Sequence, residues 1–88
     1  MASYKLIWKN SAKKEVRKLE KKERLAILCA VEELCQNPHE KQGIKKLVGS
    51  DLSYRLRVGN YRIVYELMDN ILTIEIIKVK HRKDVYRN

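Results

Sequence analysis

The chain is poor in residues that interrupt or staple a fold. Its 88 residues include one proline, three glycines and two cysteines. No apolar run approaches the ~20 residues of a membrane-spanning helix, so no membrane partner is expected. Lys5 and Lys9 break the N-terminal apolar stretch, which argues against a secretory leader and for a cytoplasmic location. Cys29 and Cys35 fall on different faces of one helical stretch, so they do not readily pair within it. With the distant His39 and His81 they match no zinc spacing. We expect small buried thiols, no metal and no cofactor. There is no repeat, low-complexity tract or linker, and residues 1–88 suit a single small domain.

Positive charge is what abounds. The formal net charge is +9. Residues 1–24 carry nine Lys/Arg against three Glu, residues 25–50 three of each sign, and residues 51–88 eight Lys/Arg against five Asp/Glu. Such a bias predicts affinity for polyanions or an acidic protein partner. A basic surface kept only for solubility is the bland alternative. Hydrophobic residues make up 44% of the chain, too many for a disordered tail, though a domain this small has a modest core.

Residues 54–65 carry the most information. Apolar and basic residues alternate on both sides of Gly59-Asn60, which predicts two strands with unlike faces. Glycine first in a two-residue loop suits a type II′ hairpin. Val58 then opposes Tyr61, Arg57 opposes Arg62, Leu56 opposes Ile63 and Arg55 opposes Val64. One face carries Tyr54, Leu56, Val58, Tyr61, Ile63 and Tyr65; the other clusters Arg55, Arg57 and Arg62. Like charges placed opposite each other destabilise a sheet. The cluster therefore points to an anionic ligand, and the guanidinium fork favours phosphate.

The remaining elements frame this hairpin. Ser3–Trp8 alternates as a first strand. Asn10 and Ser11 read as helix caps, followed by Ala12, Val16 and Leu19 at helical spacing. A second helical stretch covers about residues 22–35, with Leu25, Leu28, Val31, Leu34 and Cys35 on its apolar side. The junction lacks glycine or proline, so one long bent helix stays open. Asn37-Pro38 ends it. Residues 39–51 read as a polar loop anchored by Ile44 and Leu47. Strands at about 53–58, 61–67 and 71–79 follow, the last two joined at Asp69-Asn70. That turn would set Val64 opposite Glu75 and Arg62 opposite Ile77, putting Glu75, Ile77 and Val79 on the arginine face. His81 would continue that parity and bring the basic tail to the cluster. The expected fold is α+β, in the order β-α-α-β-β-β. Two N-terminal helices cover one face of a largely antiparallel four-stranded sheet. On residues alone this is a small basic domain that binds RNA, DNA or an acidic partner.

The hairpin with Tyr61-Arg62-Ile63-Val64-Tyr65, and the ending His81-Arg82-Lys83-Asp84-Val85-Tyr86-Arg87, resemble the RelE/ParE toxin superfamily, its RelE branch in particular. The Ser11-Ala12-Lys13-Lys14 helix start and the Lys46-Leu47 pair fit as well. The resemblance covers essentially the full chain. It implies the toxin of a type II toxin–antitoxin pair, bound by a RelB-like antitoxin and meeting operator DNA only through it. It further implies a metal-independent endoribonuclease that enters the A site of the 70S ribosome and cuts mRNA there. In that chemistry the ribose 2′-oxygen attacks the adjacent phosphate, leaving a 2′,3′-cyclic phosphate and a 5′-hydroxyl.

By position, the resemblance makes Arg62 the phosphate stabiliser, sets Arg82 beside the leaving group and has Tyr86 stack on or orient the substrate. Lys80 and Lys83 join the RNA-binding set. Arg55 and Arg57 stand where the best-known members have lysines. Arginine keeps its proton (pKa above ~12), whereas a crowded lysine can lose it. Arg55 and Arg57 are therefore assigned to phosphate binding. The base falls to His81 or Tyr86, with His81 preferred because histidine titrates closest to neutrality. The alternatives are a ParE-type gyrase inhibitor and a non-catalytic binding module of the same fold.

Overall fold

The computed structural model describes residues 3–39, 43–47, 49 and 52–85. In chain order the elements are β1 (Lys5–Trp8), α1 (Asn10–Arg17), α2 (Lys21–Gln36), β2 (Ile44–Lys46), β3 (Ser53–Val58), β4 (Tyr61–Met68), a 3-10 turn (Asp69–Ile71), β5 (Thr73–His81) and α3 (Arg82–Val85). They form an α+β fold with a mixed five-stranded sheet in the order β1-β5-β4-β3-β2.

The central hairpin has the predicted register. Val58 pairs with Tyr61, Arg57 with Arg62, Leu56 with Ile63 and Arg55 with Val64. Gly59 has φ +57°, the left-handed value required at the first loop position of a type II′ turn. Leu56, Ile63 and Tyr65 are fully buried, and Tyr54 stacks on Tyr65 with ring centroids 5.8 Å apart. They pack with Ile74, Ile76 and Val79 of β5 and with Ala12, Val16, Ile27, Val31 and Leu34 of the helices. Each large side chain so buried stabilises the fold by about 1.5–3 kcal/mol relative to exposure.

Elsewhere the fold departs from expectation for physical reasons. β1 joins the sheet parallel to β5. The residues before the hairpin are not all loop: Ile44–Lys46 form an edge strand paired with β3. Lys9 is the N-cap of α1, without a side-chain cap bond, and Asn10 is already helical. The two helices are separate. At the end of α1 the amides of Lys18 and Leu19 donate to carbonyls only three residues back, at 3.3 and 3.1 Å, a tightening that closes the last turn. On α2 the buried stripe is Ile27, Ala30, Val31, Leu34 and Cys35. Leu25 and Leu28, expected inside, are exposed.

The largest correction concerns β5. The turn from β4 takes in Asp69–Ile71 and Leu72, whose φ of 47° and ψ of 50° are left-handed. Beyond the turn Glu66 pairs with Glu75, a two-residue shift that keeps the expected faces, and a bulge between Val64 and Tyr65 then adds one residue, so that Val64 pairs with Lys78 and Arg62 with Lys80. Val79 is in the core rather than on the arginine face. His81 pairs with Tyr61, the parity of the core side, so it does not share the arginine face.

Asp69 ties this turn to two distant segments. The Tyr4 hydroxyl donates to its Oδ1, and His39 Nε2 lies 3.1 Å from the same oxygen. The hydrogen bond from Tyr4, and then the bond and charge of His39, hold the Asp69 carboxyl below its ordinary range. A depressed carboxyl adds stability that is full above about pH 4 and is lost as pH falls through the lowered value. Melting temperature measured from pH 6 to pH 2 should fall more steeply in the wild type than in Asp69→Asn. Superimposable acid limbs would remove this contact from the account.

Candidate functional site

Alternation in β3 and β4 turns Arg55, Arg57 and Arg62 away from the helices, and the tight Gly59-Asn60 turn sets Arg57 directly across from Arg62. The Arg82 amide donates to the Asn60 carbonyl at 2.7 Å. That bond fastens the start of α3 to the hairpin turn, so residues twenty-two positions apart in sequence meet. Between them lies an open cleft of about 470 Å³, lined by Arg57, Gly59, Asn60, Tyr61, Arg62, Arg82 and Lys83. Four of those residues are cationic, and among the described residues no carboxylate lines the cleft. Arginine holds its charge in such company and presents paired donors to phosphate oxygens.

Of the residues singled out in the sequence, Arg57, Arg62, Arg82 and Lys83 converge on this cleft. Arg55 lies on the same face one side-chain pair further from the turn, and Lys80 is the register partner of Arg62. His81 stands apart. Its ring meets Tyr61 edge-on, with centroids 5.1 Å apart and planes at 83°. Its Nδ1 accepts the Lys83 amide at 3.1 Å, so a neutral ring carries its proton on Nε2. Tyr86 lies outside the described residues. Three lining residues, Gly59, Asn60 and Tyr61, were missed from sequence. Asn60 was read only as a turn residue, yet its carbonyl anchors α3. Tyr61 was read as core, yet its position beside the turn opens one side to the cleft.

Among the described residues no three His, Cys, Asp or Glu side chains converge as a metal site, and no helix is long and apolar enough to cross a membrane. The arrangement can hold a tetrahedral anion and stabilise extra negative charge upon it, the electrostatic requirement of phosphoryl transfer.

The chain is similar to known toxins. Residues 6–86 match the family model described as ParE toxin of type II toxin–antitoxin system. A curated relative, toxin RelE3 of Methanocaldococcus jannaschii, is 45% identical over 58 residues, 61% of this chain and 64% of its own length. Another from that organism is 41% identical over 51 residues, 58% of this chain and 57% of its own length. The matches thus span less than two thirds of both relatives. Among solved structures, the toxin in the RelB–RelE antitoxin–toxin complex of Methanococcus jannaschii is 35% identical, covering 91% of this chain and 94% of that one, with a TM-score of 0.74. The archaeal RelE–RelB complex of Pyrococcus horikoshii gives a TM-score of 0.83 at 25% identity, covering 99% and 100% of the two chains.

Proposed function

The chain belongs to the RelE/ParE toxin family of type II toxin–antitoxin systems, and from that premise we propose that it is a metal-independent endoribonuclease cutting mRNA in the ribosomal A site. The observation that carries this reading is the convergence of Arg57, Arg62, Arg82 and Lys83 on one cleft that, among the described residues, no carboxylate lines.

The scissile phosphate sits in the cleft. The ribose 2′-oxygen forms a bond to phosphorus as the bond to the 5′-oxygen breaks. Arg62, assisted by Arg57, neutralises the non-bridging oxygens of the pentavalent state. Arg82 faces the leaving oxygen, where negative charge builds, and Lys83 adds to the field. Arg55 and Lys80 extend the binding surface. The 2′-hydroxyl proton must leave, and a proton must reach the 5′-oxygen. His81 Nδ1 is engaged by the Lys83 amide, so in this arrangement His81 holds the turn that carries Arg82 and Lys83. Tyr86, three residues beyond Lys83, then becomes the preferred base.

Two substitutions separate positioning from proton transfer. Asparagine places its oxygen where Nδ1 lies, and glutamine places its oxygen nearer Nε2. His81→Asn should keep most of the rate with an unchanged pH–rate profile, while His81→Gln should lose more. If both lose the rate together with a limb of the profile near neutrality, His81 is the base after all.

The RelB complexes of the two archaeal relatives support a RelB-like antitoxin as partner here, and the +9 charge favours an acidic one. Such a partner would bring operator DNA only indirectly, and a ribosomal substrate places the toxin in the cytoplasm. End-group analysis tests the chemistry. Cleaved mRNA should carry a 2′,3′-cyclic phosphate and a 5′-hydroxyl, with the rate unaffected by a chelator once ribosome integrity is controlled. A 3′-hydroxyl with a 5′-phosphate would overturn the mechanism.

A further inference from the structure

The basic face is wider than the cleft. The edge strand β2 pairs Lys45 with Arg55, Arg55 pairs with Val64, and Val64 pairs with Lys78. A row of outward positions therefore crosses four strands as Lys45, Arg55, Val64 and Lys78. One side-chain pair nearer the turn, Arg57, Arg62 and Lys80 form a parallel row. One pair further along, Glu66 faces Glu75. Among the described residues Lys45, Arg55, Arg57, Lys78 and Lys80 make no ion pair. Stacking like charges in register destabilises a sheet, so the row of Lys45, Arg55 and Lys78 needs an anion to offset it.

We infer that the row Lys45–Arg55–Lys78 is a second phosphate subsite, and that single-stranded RNA crosses the sheet perpendicular to its strands. The inference rests on the reading of this face as an RNA site. The two rows are two residues apart along each strand, about 7 Å at ~3.4 Å per residue. A phosphate seated among Arg57, Arg62 and Arg82 leaves the second row unneutralised. Across four strands, at ~4.8 Å per gap, the second row is ~14 Å long, more than one phosphate occupies. Val64 interrupts its charges with an apolar surface suited to a ribose or base face. Glu66 and Glu75 close the third row to phosphate. A backbone running along the strands would meet those carboxylates, whereas one running across them stays on cations.

The probe is a short single-stranded RNA, 2′-O-methylated throughout so that it cannot be cut, titrated with the full chain over a range of salt. Each phosphate contact contributes about 0.7 to the slope of log K against log salt for a single strand. Lys45→Ala combined with Lys78→Ala should reduce the slope by about 1.4, and Lys14→Ala on exposed α1 should leave it unchanged. An unchanged slope in the double variant overturns the inference, as does an equal loss in Lys14→Ala, or absence of salt-dependent binding by the wild type. So does a double variant that loses only its antitoxin. Ribosomal cleavage is scored separately. A wild type that binds as described but cuts nothing refutes the nuclease reading and leaves the subsite standing. A wild type that cuts mRNA, with an unchanged slope in the double variant, does the reverse.

Discussion

Arg62→Ala should lower the rate of mRNA cleavage by on the order of 10²–10³, the usual loss when one preorganised donor to a developing negative charge is removed. Arg62 lines the cleft and pairs with Arg57 on one side and Lys80 on the other, so it holds the middle position of that cationic row. Because that face points away from the helices, the melting temperature should move little. Arg62→Lys keeps the charge but loses the planar fork, and should recover only part of the rate. Cleavage by primer extension, read beside thermal melting, checks both halves. A variant that melts like the wild type and cuts at an undiminished rate would remove Arg62 from the mechanism.

Leu56→Ala should do the opposite. Leu56 is fully buried one residue before Arg57, so neighbours in sequence serve opposite faces of the sheet. Removing most of a buried leucine side chain costs about 2–5 kcal/mol, against about 5–15 kcal/mol for a whole domain. At roughly 4–8 °C per kcal/mol for a domain of this size, melting should fall by on the order of 10–40 °C. The cleavage rate per folded molecule should stay near wild type. Arg57→Ala should show the reverse pattern, with melting kept and rate lost. If Leu56→Ala melts normally, the burial that fixes the register of β3 is wrong.

These contrasts show which parts of the fold were legible in the sequence. The β3–β4 hairpin was readable because alternation fixes the faces and a two-residue loop fixes the register. The second hairpin was not. Its register depends on turn length, and nothing in the sequence marks Leu72 as the residue that takes a left-handed conformation. The longer turn shifts the register by two residues and keeps the faces; the bulge between Val64 and Tyr65 adds the single residue that moved Lys78 and Lys80 onto the basic face and Val79 into the core. β2 was hidden because it is three residues long with a single apolar side chain, Ile44. Without β2, Lys45 could not be placed beside Arg55. On α2, large leucines drew attention away from the true stripe, which uses the small Ala30 and so rotates Leu25 and Leu28 outward. In the site, Arg57 and Arg62 followed from strand parity alone. Arg82 and Lys83 came from the resemblance, since the bond from Arg82 to Asn60 that brings them in leaves no pattern in the sequence.

The most direct test sets the two branches of the family side by side. Purified protein is added to ribosomes programmed with mRNA and, in parallel, to a DNA gyrase supercoiling reaction. Primer extension should show wild-type cuts within the A-site codon, with none on the same mRNA free of ribosomes, while supercoiling proceeds unhindered. Intact message together with inhibited supercoiling would contradict the account and make the cationic cleft a protein-docking surface instead.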